Sequence, residues 1–157
     1  MQVTPEFVPQ SERRRVAGLA TRTRNTDEAD PSKARIGELW GRFTTQNWAE
    51  RLEQGGAFGP TIAVYSAYES DVSGSYQLLI GREIATSASV TPPLQVVDIA
   101  PGKYLVFRFS GPLPGVVIDG WRAVWSFFEQ PVAPRRAYTA DFEVYREPER
   151  VEIWISA

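Results

Sequence analysis

The sequence predicts an α+β fold in which a strand-strand-helix-strand-strand (βαββ-type) unit occurs twice, giving a curled antiparallel sheet of about eight strands with two helices packed on it. Three observations predict it. Apolar and polar residues alternate in a series of short stretches, apolar residues recur at spacings of three and four in two longer ones, and the second half of the chain repeats the order of the first.

Taken in order, "FVPQSERRRVAGLATRT" alternates and gathers its charges in the middle, which predicts two strands paired as a hairpin around Gln10 to Arg14. In "NTDEADPSK", Asp30 is the expected N-cap and Pro31 the first helical residue. Ile36, Leu39, Trp40 and Phe43 then share one helical face, so a helix is predicted over about residues 30–53, ended by the glycines and proline of "EQGGAFGP". "TIAVYSAY" and "SYQLLIGREI" are strands with a tight connection at "ESDVSG". The small, polar, proline-ended "ATSASVTPP" reads as a linker. "LQVVDIA" and "KYLVFRFS" are strands about the turn Pro101 to Gly102, and "VVIDGWRAVWSFF" carries Val117, Trp121, Val124, Trp125 and Phe128 on one stripe, predicting a helix over about 114–129. "RRAYTADFEVY" and "RVEIWIS", joined through "REPE", close the second unit. The expected organisation is a single domain, 1–157, of two pseudo-symmetric halves (about 1–84 and 95–157) joined by linker 85–94.

The 157 residues include neither cysteine nor histidine, which excludes disulfides, thiolate nucleophiles, imidazole bases and the usual zinc ligands. No metal or cofactor is expected, and any chemistry falls to carboxylates, hydroxyls, aromatics and arginine. A net charge of −2 supplies no basic field for nucleic acid, and the run "SERRR" reads as a solvated or ion-paired edge. The N-terminal stretch has no apolar signal segment and no run approaches the roughly 18 apolar residues of a membrane span, so a cytoplasmic protein with no membrane partner is expected.

In "DFEVY", Phe142 and Val144 fall on one face of a strand and Asp141, Glu143 and Tyr145 on the other. The last strand repeats the pattern, with Val151, Ile153 and Ile155 alternating with Glu152 and Trp154. If the aliphatic faces meet the helices, Glu143, Tyr145, Glu152 and Trp154 share the opposite surface. Two readings of that surface are open. Glu143 is half-exposed and paired with Arg146 or Arg136, or it is a carboxylate in an aromatic wall, where a cationic aromatic ligand would offset its desolvation and gain roughly 0.5 to 2 kcal/mol per cation-π contact. Trp40 with Phe43, and Trp121 with Trp125, serve the core, the site or both. Glu69 and Asp71 sit in a turn sequence and are expected to cap it.

The blocks "VAGLATRT", "LWGRF", "VYSAYESDVSGSYQLLIGRE", "PGKYLVF", "WRAVW", "RAYTADFEVY" and "VEIWI" run through residues 16–155 in an order that resembles the bacterial GyrI-like, AraC-type effector-binding domain family. The chain departs from the usual family sequence at "EQGGAFGP", at the expected rim of the cleft. The resemblance implies two halves about a central cleft that binds lipophilic, often cationic aromatic compounds through a carboxylate in the strand matching "DFEVY". On this chain that carboxylate is Glu143, with Tyr145 and Trp154 beside it. Trp125, Trp40 and Tyr65 complete the expected ligand-binding set. No catalytic residue is assigned.

Many relatives carry a DNA-binding helix-turn-helix region beside this domain, for which this chain has no residues to spare, so direct DNA binding is not expected. The leading expectation is a stand-alone module for lipophilic cationic or aromatic small molecules. The alternatives that the resemblance carries are a hydrolase of cyclopropane-containing DNA-alkylating compounds, with Glu143 activating water, and a protein-binding regulator acting on a partner such as gyrase.

Overall fold

The computed structural model describes residues 5–71, 73–147 and 149–157. Residues 1–4 of the expected chain start, Val72 of the "ESDVSG" connection and Pro148 of the "REPE" connection lie outside them. The strands are β1 (Glu6–Gln10), β2 (Arg14–Thr23), β3 (Phe58–Ser66), β4 (Tyr76–Ile84), β5 (Gln95–Ile99), β6 (Gly102–Ser110), β7 (Ala140–Arg146) and β8 (Arg150–Ser156). The helices are α1 (Asn25–Glu28), α2 (Ile36–Thr45), α3 (Trp48–Gln54) and α4 (Gly115–Phe128).

All the strand pairings described are antiparallel, in the order β1-β6-β8-β7-β3-β4-β2-β5. Exchanging β1 with β5, β2 with β6, β3 with β7 and β4 with β8 reverses this order and leaves it otherwise unchanged. The order is that of a twofold passing between β3 and β7.

The predicted opening hairpin does not form. β1 pairs with β6, while β2 pairs with β4 and β5, and β5 and β6 do not pair across their short turn. Alternation marks a segment as a strand but does not name its neighbour. The opening strand of each half caps an edge of the other half, and Pro9, with no N–H to donate, is tolerated because β1 is an edge strand.

The helix predicted over 30–53 is interrupted. Asp30 does not cap it, because its carboxylate accepts hydrogen bonds from the Ser32 N–H at 3.0 Å and the Ser32 hydroxyl at 2.8 Å and closes a turn instead. α2 begins at Ile36, where Glu28 of α1 accepts the N–H groups of Arg35 and Ile36 at 2.9 and 3.2 Å, doing at a distance the work of a local cap. Asn47, at φ 55°, breaks α2 from α3. α4 forms where its stripe predicted it. None of the helices described is long and apolar enough to cross a membrane.

The helices cover one face of the sheet. Leu39, Phe43, Trp48 and Leu52 pack on Leu19, Leu78 and Ile80 of the first half, and Val116 and Val124 pack on Phe107, Phe109 and Ile153 of the second. The other face closes on itself. Arg14 of β2 lies 5.5 Å over the Phe142 ring of β7, although β3 and β4 stand between those strands in the sheet, so the sheet must curl to bring them together. Val16, Ile62, Val64, Leu79 and Phe142 are fully buried inside the curl. With one group of helices over each half, the helix-side surface of β3 and β7 is left as the floor of a cleft.

Candidate ligand-binding site

A cavity of about 890 Å³ lies over that floor, walled by α1, α2, α4 and the segments that flank β3 and β7. Its volume is in the range of roughly 300–1,000 Å³ that suits a drug-sized ligand. Pairing explains which side chains reach it. Tyr65 is opposite Asp141, and Ala63 and Ile153 are opposite Glu143, and directly opposed residues share a face. The helix-side face therefore carries Asp141, Glu143 and Tyr145 together with the aliphatics of β8.

This register corrects the face expected for the last strand. Its aliphatic residues, not its acid and aromatic, share a face with Glu143. Trp154 lies inside the curl, stacked on Phe142 with ring centroids 5.1 Å apart, and it does not line the cavity. Alternation relates residues within one strand, whereas the relation between two strands is set by their register, which a one-residue shift inverts. The segment "EQGGAFGP", expected at the rim, is also absent from the cavity wall.

The other expected residues, Glu143, Tyr145, Tyr65, Trp40 and Trp125, are all placed at the cavity. Glu143 is 1% exposed. One carboxylate oxygen accepts hydrogen bonds from the Tyr65 hydroxyl at 2.8 Å and the Trp121 indole N–H at 2.5 Å, and the other accepts one from the Tyr145 hydroxyl. Trp40 sits edge-on to Tyr145 at 5.1 Å, and Trp121 lies 5.3 Å from Tyr65 and 6.1 Å from Trp125. Burial pushes the Glu143 carboxyl above its usual range, although the hydrogen bonds from Tyr145, Trp121 and Tyr65 pull the other way. Burial, reinforced by the neighbouring Glu143, raises the Tyr65 and Tyr145 hydroxyls well above the ordinary phenol value, so they remain donors.

The arginines proposed for Glu143 serve other acids. Arg136 contacts Asp141 at 2.8 Å and Arg146 contacts Glu152 at 3.1 Å. Among the described residues Glu143 has no ion-pair partner, so its three hydrogen-bond donors are all neutral. Asp141, two residues away and fully buried, is also bonded to the Ser156 N–H and hydroxyl and to Tyr68.

Sequence reasoning left Trp121, Tyr68, Tyr76, Tyr138 and Arg136 out of the ligand-binding set. Trp121 had a usable signal, because it lies one helical turn from Trp125 on the stripe that must face the sheet. Tyr68, Arg136 and Tyr138 lie in irregular segments, where no periodicity fixes direction.

A family model described as "Cass2: Integron-associated effector binding protein" matches residues 9–156. The integron cassette protein VCH_CASS2, from the mobile metagenome of Vibrio cholerae, is 34% identical in sequence, covers 97% of this chain and 94% of its own, and superposes with a TM-score of 0.83. The putative transcriptional regulator protein YobU of Bacillus subtilis (strain 168) is 29% identical over 145 residues, which are 89% of this chain and 88% of YobU. The structure of SAV2435 bound to tetraphenylphosphonium shares the fold at 19% identity, with a TM-score of 0.74 over 99% of this chain and 93% of that one.

Proposed function

The chain belongs to the family of integron-associated effector binding proteins, and on that premise we propose that it binds a lipophilic cation in the cleft, with Glu143 as the counter-charge. One observation carries the reading. Glu143 is buried among aromatic rings and held by neutral donors, while Asp141 and Glu152 each have an arginine. A buried carboxylate without a cation is costly, and a ligand that brings one removes the cost.

Trp40, Trp121, Trp125, Tyr65 and Tyr145 give such a ligand π-faces and edges on several sides. The solved complex of SAV2435 with tetraphenylphosphonium supports the choice of probe. Titration with tetraphenylphosphonium is expected to quench tryptophan fluorescence to saturation. Glu143→Gln keeps the shape and removes the charge, and is expected to weaken binding about 10- to 100-fold, equivalent to about 1.4–2.8 kcal/mol. Equal affinity in a folded Glu143→Gln protein would remove Glu143 from the role.

A further inference from the structure

The apolar surface of α4 extends beyond what the fold uses. Val116 and Val124 pack on the sheet, and Gly120 lies so close to it that a Cβ there would meet Phe109 and Ile153. A helix seated in this way is expected to be polar on its other faces. Instead Val117, Ile118, Trp121 and Trp125 line the cavity, and Leu113 and Pro114 continue that lining ahead of the helix. Leu113, Ile118 and Trp125 both line the cavity and stand in solvent, at 50%, 52% and 41% exposed, so they belong to its mouth. Of the six exposed large hydrophobic residues among those described, these three are gathered here. Single exposed apolar side chains are ordinary, whereas a group of them marks surface that a bound molecule covers.

The position of this surface narrows what covers it. Trp121 donates to Glu143, Val117 and Ile118 stand one helical turn before Trp121, and Leu113 and Pro114 come one turn earlier again. The apolar lining therefore runs turn by turn from a donor to the carboxylate out to the exposed edge. Arg122, which also lines the cavity, is exposed and 3.8 Å from Asp119, so that pair adds no net charge. Aliphatic side chains gain only by covering apolar surface. A ligand group lying on them is hydrocarbon.

We propose that the mouth of the cavity binds an uncharged hydrocarbon arm, so that the protein selects amphiphilic cations whose charge sits at Glu143 and whose arm lies along Val117, Ile118 and Leu113. This rests on the reading of Glu143 as the cation's partner and names the class of cation preferred.

Methyl-, propyl- and hexyltriphenylphosphonium carry the same charge and differ only in the arm, and calorimetric titration compares them. A methylene taken wholly from water strengthens binding about 4-fold, and one covered on a single side about 2-fold. The hexyl compound, with five more methylenes than the methyl compound, is expected to bind about 30-fold more tightly, with propyl between them. Leu113→Asn combined with Ile118→Asn removes the apolar surface at two exposed positions, and is expected to reduce that ratio to below about 5-fold. Should the double variant fold poorly, Ile118→Asn alone is expected to give an intermediate ratio. Val132→Asn, at an exposed position that does not line the cavity, is expected to keep the full ratio.

A ratio near one in the unaltered protein overturns the proposal, as does a ratio that survives in the folded double variant or is lost equally in Val132→Asn. A dimer that the double variant dissociates in sedimentation velocity, with the ratio unchanged, assigns the surface to a second copy of the chain and also overturns it. If tetraphenylphosphonium binds and the longer arm brings no advantage, only the arm has failed. If none of the cations binds, the reading of Glu143 fails and this proposal fails with it.

Discussion

At the scale of single residues, Glu143 sets a conflict between stability and function. Its carboxyl titrates at a higher pH in the folded protein than in the unfolded chain, because burial disfavours the charged form. The folded state therefore holds the proton more tightly. The stability this gives is complete below the unfolded value, near pH 4, and is lost as pH rises through the folded value. Glu143→Gln has no such loss. Its amide oxygen can accept from Tyr65 and Trp121 while its NH₂ donates to the Tyr145 oxygen, so the hydrogen-bond sites stay filled. The expected outcome is that the thermal midpoint of ligand-free Glu143→Gln rises relative to the unaltered protein as pH is raised from 4 to 8, and parallel curves would contradict it. Ligand affinity should run the other way in the unaltered protein. A cation needs the ionised carboxylate, so tetraphenylphosphonium binding should strengthen as pH rises through the titration of free Glu143 and then level off. In Glu143→Gln it should be flat, since the Tyr65 and Tyr145 hydroxyls stay protonated throughout.

At the scale of elements, the backbones of β2 and β4 approach more closely at one point than side chains would allow. Gly18 and Gly81 face each other there, and a Cβ on Gly81 would lie 1.8 Å from the Ala17 carbonyl oxygen. Gly81→Ala must push the strands apart and is expected to destabilise by about 3 kcal/mol in urea unfolding. Gly41 is the opposite case. It is exposed in α2 with no atom near enough to obstruct a Cβ, so Gly41→Ala is expected to stabilise by about 0.5–1 kcal/mol. A similar cost at both positions would show that the Gly18–Gly81 contact is not special. These elements also mark how far the sequence could be read. Strands and α4 were legible because alternation and the Val117–Trp121–Val124 stripe depend only on local periodicity. The partners of β1 and β5 were not, since pairing is decided by contacts far apart in sequence. The same limit misplaced Trp154: the alternation of β8 was correct, but only its register with β7 shows that Ile153, and not Trp154, lies beside Glu143. In the first helical region the stripe of Ile36, Leu39, Trp40 and Phe43 was visible, while the break at Asn47 had no periodic signature.

At the scale of the whole molecule, the strand exchange bears on whether either half can exist alone. Three pairings cross between the halves: β1 with β6, β2 with β5, and β3 with β7. A fragment ending in the 85–94 segment would keep β2, β3 and β4 but expose an edge of β2 and of β3, and its β1 would have no partner. The remaining fragment would lose the strands that cover β6 and β7 in the same way. Each would also lose much of the interior of the curl, where Val16, Ile62 and Val64 of the first half meet Tyr104, Phe142 and Val144 of the second. The cleft is divided along the same line, with Tyr65 and Trp40 on one side and Glu143, Tyr145 and Trp121 on the other. Chains cut within residues 85–94 are therefore expected to show no cooperative thermal transition when purified separately. Mixed in equal amounts, they should recover the antiparallel sheet by circular dichroism and also recover tetraphenylphosphonium binding, because the pairings that restore the fold bring Tyr65 and Glu143 together. A fragment that melts cooperatively alone would show that the exchanged strands are dispensable. Recovery of the sheet without recovery of binding would separate the assembly of the fold from that of the site.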